Sequence, residues 1–293
     1  MIAAKSFRFM LKYAGSDPIG FTRMLGRRAV EEFCASPSGI AQTEFGGVKY
    51  ELDMSLHILM RKYFYHTHEM YLERIYDRFL RPGRTFVDIG ANCGYWSAYA
   101  LSKVGKSGEV HAFEPVPQYF AILRRLGELN PGYKVMANNV ACGASAERRR
   151  MEIVLPQPQN FGNHNTNIGS SSLAPGFLAH AKGLTQDIDV DVIPFDDYAL
   201  RHSIDPDRIG LIKIDVEGFE GSVLTGMSDI LSTVGRKVPI LCEVLTDLSR
   251  EQPLAGTQTI ALLKRFGYRC FNAVNLKPID DGALHFEENI LCM

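Results

Sequence analysis

From residue 85 onward, apolar and polar positions change period in a regular way. Thr85–Ile89 and Glu109–Phe113 are short runs of strand-forming residues. Each is followed by a turn and by a stretch in which apolar side chains recur every three or four residues, the first reaching about Val104 and the second spanning about Pro117 to Leu129. Lys134–Ala141 predicts a third strand. Strands alternating with helices of about 10 to 15 residues predict βαβ units and a parallel sheet. The rhythm breaks between about 147 and 197, where Pro156, Pro158, Gly162, Gly169 and a Ser170-Ser171-Ser172 run separate two strand-like pieces, 149–155 and 187–193. This insertion reads as a lid that carries substrate contacts. The rhythm resumes with a strand at 209–215, a helix around Glu220–Ser232, a strand at 238–245 and a helix over Thr257–Phe266. Two closing strands, 268–274 and 288–293, flank a turn at Asp280-Asp281-Gly282 and predict an antiparallel edge.

Upstream, Pro37, Gly39, Gly46 and Gly47 bracket the alternation of Val48, Tyr50 and Leu52, which predicts a small hairpin. Met70, Leu72, Ile75, Tyr76, Phe79 and Leu80 recur at helical spacing, so one amphipathic helix is expected over 66–80, stopped by Arg81-Pro82-Gly83. The chain therefore divides into an N-terminal extension, 1–65, and a main domain, 66–293, with the insertion at 147–197. Residues 1–30 hold Lys5, Arg8, Lys12, Arg23, Arg27 and Arg28 against Asp17 alone. That charge reads as a solvated helical face, with weak contact to a membrane surface or a partner as the other reading.

Composition narrows the function. With 293 residues, 46% of them hydrophobic, and a net charge of −1, the chain fills a sizeable core and carries no global field for polyanions, so nucleic acid is not the expected partner. A small molecule is. The cysteines, Cys34, Cys93, Cys142, Cys242, Cys270 and Cys292, include no C-x-x-C pair and read as free thiols. Lys5, Arg8 and Lys12 interrupt the N-terminus before a signal-peptide core develops, and no stretch of about 18 apolar residues occurs. The expectation is a cytoplasmic protein.

Between the first strand and its helix lies Val87-Asp-Ile-Gly-Ala-Asn-Cys-Gly94, at the place where an open α/β sheet binds its ligand. Gly90 and Gly94 allow backbone to approach a ligand closely. Counted from Gly90, however, Asn92 and Tyr95 stand where a dinucleotide fingerprint has its second and third glycines. S-adenosylmethionine has no phosphate, and acids at the ends of the first two strands suit it better. Asp88 and Glu114 are those acids: Asp88 orients the turn toward the methionine portion, and Glu114 accepts the ribose hydroxyls. Asn92 offers an amide to the cofactor carboxylate, and backbone at Asn139, Val140 and Ala141 would meet the adenine.

The sequence here resembles a known family. VDIGANCG is similar to the first motif of class I S-adenosylmethionine-dependent methyltransferases and AFEP to the second. FVDIGANCGYWS, VHAFEPVPQYF, NNVACG, GSSSL and LIKIDVEGFEGSVLTGM together resemble the FkbM-type methyltransferases in order and spacing, over roughly 66–245. The resemblance implies methyl transfer, usually to a hydroxyl oxygen of a sugar, glycan or natural product. It also implies a doubly wound, Rossmann-like α/β fold whose seven-stranded sheet is mostly parallel, with an antiparallel last strand. Glu69 matches a family acid that faces the cofactor, with a surface helical glutamate as the other reading.

Asp215 and Glu217 lie two residues apart where the fourth strand leaves the sheet, so both can point toward the transferred methyl. Asp215 is the first candidate for base or hydroxyl positioner and Glu217 the second, a helix cap after Gly218 being the structural alternative for Glu217. Two carboxylates are too few to assign a divalent cation, so no metal ligands are designated. His164 and His180 are further candidate bases if the insertion closes over the site. Two other functions stay open on the residues alone: a nicotinamide-dependent oxidoreductase, and a cofactor-binding protein that serves a partner without catalysis.

Overall fold

The computed structural model describes residues 10, 13–56, 59–154, 171–173, 185–232, 238–244, 255–279 and 288–293. The lid histidines His164 and His180 and the turn at 280–282 lie outside them. No helix of the described residues is long and apolar enough to cross a membrane.

Helix α1 (Pro18–Phe33) is started by Pro18 at its first position and by Asp17, whose Oδ1 accepts the Gly20 N–H at 2.8 Å. The hairpin forms as β1 (Ile40–Phe45) and β2 (Val48–Asp53), with Val48, Tyr50 and Leu52 fully buried on its inner face. Helix α2 (Leu59–Phe64) follows. The single helix expected over 66–80 is shorter than its apolar spacing suggests. Glu69 takes a left-handed conformation (φ 41°), so the run starts as a 3-10 turn at Met70–Leu72 and becomes α-helical only in α3 (Glu73–Phe79). Arg27 of α1 pairs with the buried Glu73 and donates to the His66 carbonyl at 3.1 Å, tying the N-terminal helix to α3.

The main sheet is built from β3 (Thr85–Ile89), β4 (Glu109–Phe113), β5 (Lys134–Asn138) and four later strands, interleaved with α4 (Tyr95–Val104) and α5 (Pro117–Leu129). β6 (Ala141–Cys142), β7 (Glu147–Val154), β8 (Ser171–Ser172) and β9 (Thr185–Ile193) make a second sheet. After it come α6 (Phe195–Arg201), β10 (Ile209–Ile214), α7 (Glu220–Thr225), α8 (Ser228–Ser232), β11 (Ile240–Val244), α9 (Ala255–Arg265), β12 (Cys270–Asn272) and β13 (Glu288–Cys292). The large sheet has the order β12-β13-β11-β10-β3-β4-β5. β13 runs antiparallel to both its neighbours, while β11, β10, β3, β4 and β5 run parallel. This is the doubly wound, mostly parallel seven-stranded arrangement expected, and its inner strands β3, β10 and β11 are buried along their whole length.

Two further boundaries differ from the sequence pattern. The strand expected over 134–141 stops at Asn138, and Ala141 belongs to the second sheet, pairing with Val192. The helix expected over 220–232 breaks into α7 and α8 around Gly226. The strand-like pieces of the insertion pair as one antiparallel ribbon, from Glu147 opposite Val192 to Val154 opposite Thr185.

The hairpin is fastened to the main domain at two points. Asn130, at the end of α5, exchanges hydrogen bonds with the Lys49 backbone at 2.8 Å each way, and the buried Tyr50 hydroxyl donates to the Cys93 carbonyl at 2.9 Å. Because Cys93 lies in the turn between β3 and α4, Tyr50→Phe removes a buried bond without changing shape. It is expected to cost about 1 kcal/mol, read as a lower urea midpoint with an unchanged slope.

Candidate functional site

The strand order runs from β3 toward β4 and β5 in one direction and from β10 toward β11 in the other, so the switch point of the sheet lies between β3 and β10. Their carboxyl ends touch: the Asp215 N–H donates to the Ile89 carbonyl at 3.0 Å. A Cβ on Gly90 (φ 81°) would stand 1.8 Å from the Asp215 carbonyl oxygen, so only glycine passes here. The rest of the turn is closed on itself. Gly90 and Ala91 donate to the Phe113 carbonyl at 3.1 and 2.9 Å, and Asn92 (φ 50°) to Glu114 Oε2 at 2.8 Å. Cys93 donates to Asn92 Oδ1 at 2.8 Å and Gly94 to the Ala91 carbonyl at 2.8 Å. Every N–H from 90 to 94 is thus taken, and the turn has no cradle for a pyrophosphate. The nicotinamide reading loses its binding site.

A cavity of about 370 Å³ opens beside this turn. Of the residues singled out in the sequence, Glu69, Gly90, Asn92, Glu114, Ala141, Asp215 and Glu217 line it, whereas Asp88, Gly94 and Asn139 do not. Asp88 has no exposed surface; its Oδ2 accepts the Ser97 hydroxyl at 2.6 Å, so it braces β3 to α4 from behind the cavity. Gly94 (φ 80°) precedes α4 and lies where a Cβ would meet the Leu123 side chain at 2.8 Å. The exposed Asn139 turns back, donating from Nδ2 to the carbonyls of Glu114 and Pro115 at 2.9 and 3.0 Å. Glu217 takes positive φ (53°), and its carbonyl accepts the Ser172 hydroxyl at 2.6 Å. Phe219 holds the N-cap position of α7 without a side-chain cap, and the buried Glu220 accepts the Gly218 N–H at 2.9 Å.

The cavity wall is rich in acids held by different means. Glu114, 4% exposed, is pushed up to about 7 by burial, against the pull of the Val116 and Asn92 N–H groups on its two oxygens. Burial would also raise Glu69, but His68 at 3.3 Å, the Lys213 charge and the Tyr71 hydroxyl outweigh it and bring Glu69 down to about 2. Glu69 also accepts from Asn289 Nδ2 at 2.8 Å and so lies on the cavity wall, not on a helix surface.

Two cavity residues escaped the sequence reading. Lys213 stands between Ile212 and Ile214 inside a buried strand, with Nζ 2.7 Å from Asp215 Oδ2. Burial would lower it, but Asp215 and Asp88 hold it charged well above the ordinary lysine range. Glu243, hidden in the apolar run of β11, joins Asp215 and Glu217 so that one carboxylate oxygen of each lies within 4.8 Å of the others. A charged residue inside an otherwise apolar strand was the available signal for both.

A profile of the methyltransferase FkbM domain matches residues 88–270. The chain belongs to the FkbM methyltransferase family. Methyltransferase 1 of Beauveria bassiana is 29% identical over 202 residues, covering 66% of this chain and 79% of its own length. The 31-O-demethyl-FK506 methyltransferase FkbM of Streptomyces tacrolimicus is 29% identical over 220 residues, covering 68% and 79%. Among solved structures, Aeropyrum pernix fibrillarin, 8% identical, aligns over 89% of this chain and 85% of its own with a TM-score of 0.43. This FkbM-family protein is an S-adenosylmethionine-dependent methyltransferase.

The residues present fit that cofactor. Gly90 and Asn92 put the turn on the cavity wall, the acids suit a sulfonium, and the turn makes no provision for phosphate. Hydroxyl donors prefer a carboxylate to a carboxylic acid, so the ribose contact expected at Glu114 would favour the ionised form. With Glu114 near 7 in the free protein, S-adenosylhomocysteine should bind more tightly as pH rises from 6 to 8, with protons released below 7. Glu114→Gln should flatten that dependence and weaken binding by about 1–3 kcal/mol. Calorimetry in buffers of different ionisation enthalpy measures both, and a proton release unchanged in the variant would remove Glu114 from the linkage.

Proposed function

We propose that this FkbM methyltransferase methylates a hydroxyl oxygen of a small acceptor, namely a sugar, a glycan or another natural product. The observation that carries the reading is the convergence of Asp215, Glu217 and Glu243 at the switch point, beside the Gly90 turn. The name of the S. tacrolimicus relative specifies an O-demethyl substrate and supports oxygen as the acceptor atom. In this reading Glu69, Gly90, Asn92, Glu114 and Ala141 contact the cofactor, and Asp88, Gly94 and Asn139 shape its site from behind.

The cofactor supplies a methyl group activated by a sulfonium. The chain supplies alignment and a proton acceptor. Displacement at the methyl carbon needs the acceptor oxygen, carbon and sulfur in line, and holding them so removes much of the entropic part of the barrier. As the oxygen–carbon bond forms and the carbon–sulfur bond breaks, the hydroxyl becomes acidic and its proton passes to a carboxylate. The backbone bond to Ile89 and the Lys213 ion pair support Asp215 in this role, with Glu217 as the second candidate. A positioned base of this kind is worth ~10²–10⁴ in rate.

Asp215→Asn keeps the shape and removes the charge. It should leave S-adenosylhomocysteine affinity within about threefold and lower turnover by ~10² or more. Wild-type turnover should survive a chelator, because the Lys213 ammonium already occupies Asp215. Full activity in Asp215→Asn would move the role to Glu217, whereas loss of wild-type activity with chelator and recovery with magnesium would reassign the three acids to a cation.

A further inference from the structure

The cavity is lined by Glu69, Glu114, Asp215, Glu217 and Glu243, and its turn has no backbone N–H left for an anion. S-adenosylmethionine nevertheless brings an α-carboxylate, so a cation facing it has to come from elsewhere on the cavity wall. Four cationic or cationisable side chains line the cavity among the described residues: Arg28, Lys62, His68 and Lys213. Two of them are committed, Lys213 to Asp215 at 2.7 Å and His68 to Glu69 at 3.3 Å. Arg28 and Lys62 have no acidic partner among the described residues, and both side chains are exposed at the cavity edge.

Their chain neighbours account for their placement. Arg27 is taken by Glu73 and the His66 carbonyl. Arg61 reaches back to Ser36 and the Glu31 carbonyl, and its Nε lies 3.9 Å from Glu31. One arginine therefore fastens each of α1 and α2, and the next residue, about 100° around the helix, is left at the cavity. Both helices precede the matched span 88–270, so these two charges are an addition of the N-terminal segment.

We propose that Arg28 and Lys62 form a clamp for a carboxylate, supplied either by the amino-acid tail of the cofactor or by an acidic acceptor such as a uronic acid. The inference rests on the cofactor occupying this cavity. Two exposed side chains are cheap to change, and methionine keeps their apolar stems.

The test compares wild-type protein with the R28M/K62M double variant, after thermal melting establishes that both are folded. Each is titrated with S-adenosylhomocysteine and with 5′-methylthioadenosine, which shares the nucleoside and sulfur but has no amino-acid tail. Thermal shifts with glucuronate and with glucose are then recorded on the protein loaded with S-adenosylhomocysteine. A tenfold or greater loss for S-adenosylhomocysteine, with methylthioadenosine within twofold, assigns the clamp to the cofactor. Unchanged nucleoside binding, with a glucuronate-specific stabilisation in the wild type that the variant loses, assigns it to the acceptor. An R28K/K62R variant should retain whichever effect is seen. If neither difference appears, or if both nucleosides weaken alike, the clamp is refuted. Failure of wild-type protein to bind S-adenosylhomocysteine would instead overturn the placement of the cofactor, and the clamp with it.

Discussion

Lys213 sits inside a strand that is otherwise buried and apolar, with its ammonium 2.7 Å from Asp215 and with Asp88 beside it in register on the neighbouring strand. A carboxylate taken out of water costs several kcal/mol unless it is paired. Here one cation from the strand itself faces two acids, and Ser97 donates to one oxygen of Asp88. The pairing lets acids stand at the ends of the two central strands, where the sheet opens. The pocket depends on that arrangement, because the Gly90 turn is packed against the backbone of the same Asp215.

The described residues that precede β3 are organised around this centre. The hairpin reaches the turn through Tyr50, α3 receives α1 through the Arg27–Glu73 pair, and Glu69 enters the cavity because the chain turns left-handed just before α3 begins. Asn289, from the antiparallel strand β13, holds that carboxylate from the other side. Stretches far apart in sequence thus meet around one centre, and Arg27, Tyr50, Glu69 and Asn289 all lie outside the span that the family profile matches.

Much of the sheet was legible because its strands are apolar runs that end in an acid or a glycine, a pattern that buried parallel strands produce directly. Asp215 and Glu217 were legible as a pair for the same reason. The strand after α5 was overextended, since its pattern passes through Asn138-Asn139 without a proline or glycine to stop it. The helix before β3 was started too early, since a spacing rule registers apolar positions and has no means of sensing that Glu69 adopts positive φ. Lys213 and Glu243 were overlooked because each is enclosed by apolar neighbours, so the run reads as core. Only the partners brought in by the fold show what the charge is for. That the Gly218 N–H is taken by the buried Glu220 is a matter of direction that adjacency in sequence does not encode.

Glu217 illustrates how the small second sheet enters the energetics of the large one. Left-handed backbone costs a non-glycine residue about 1–2 kcal/mol, and Glu217 is followed by Gly218 at φ 94°, so the loop after β10 is wound against its own preference. The Ser172 hydroxyl on the Glu217 carbonyl, worth about 1 kcal/mol, is of the size needed to hold it there. The loop therefore behaves as a cocked spring whose latch belongs to a different sheet. By thermodynamic reciprocity, anything that steadies the strand carrying Ser172 also steadies the carboxylate at position 217, and a ligand that draws on that carboxylate stiffens the ribbon in return.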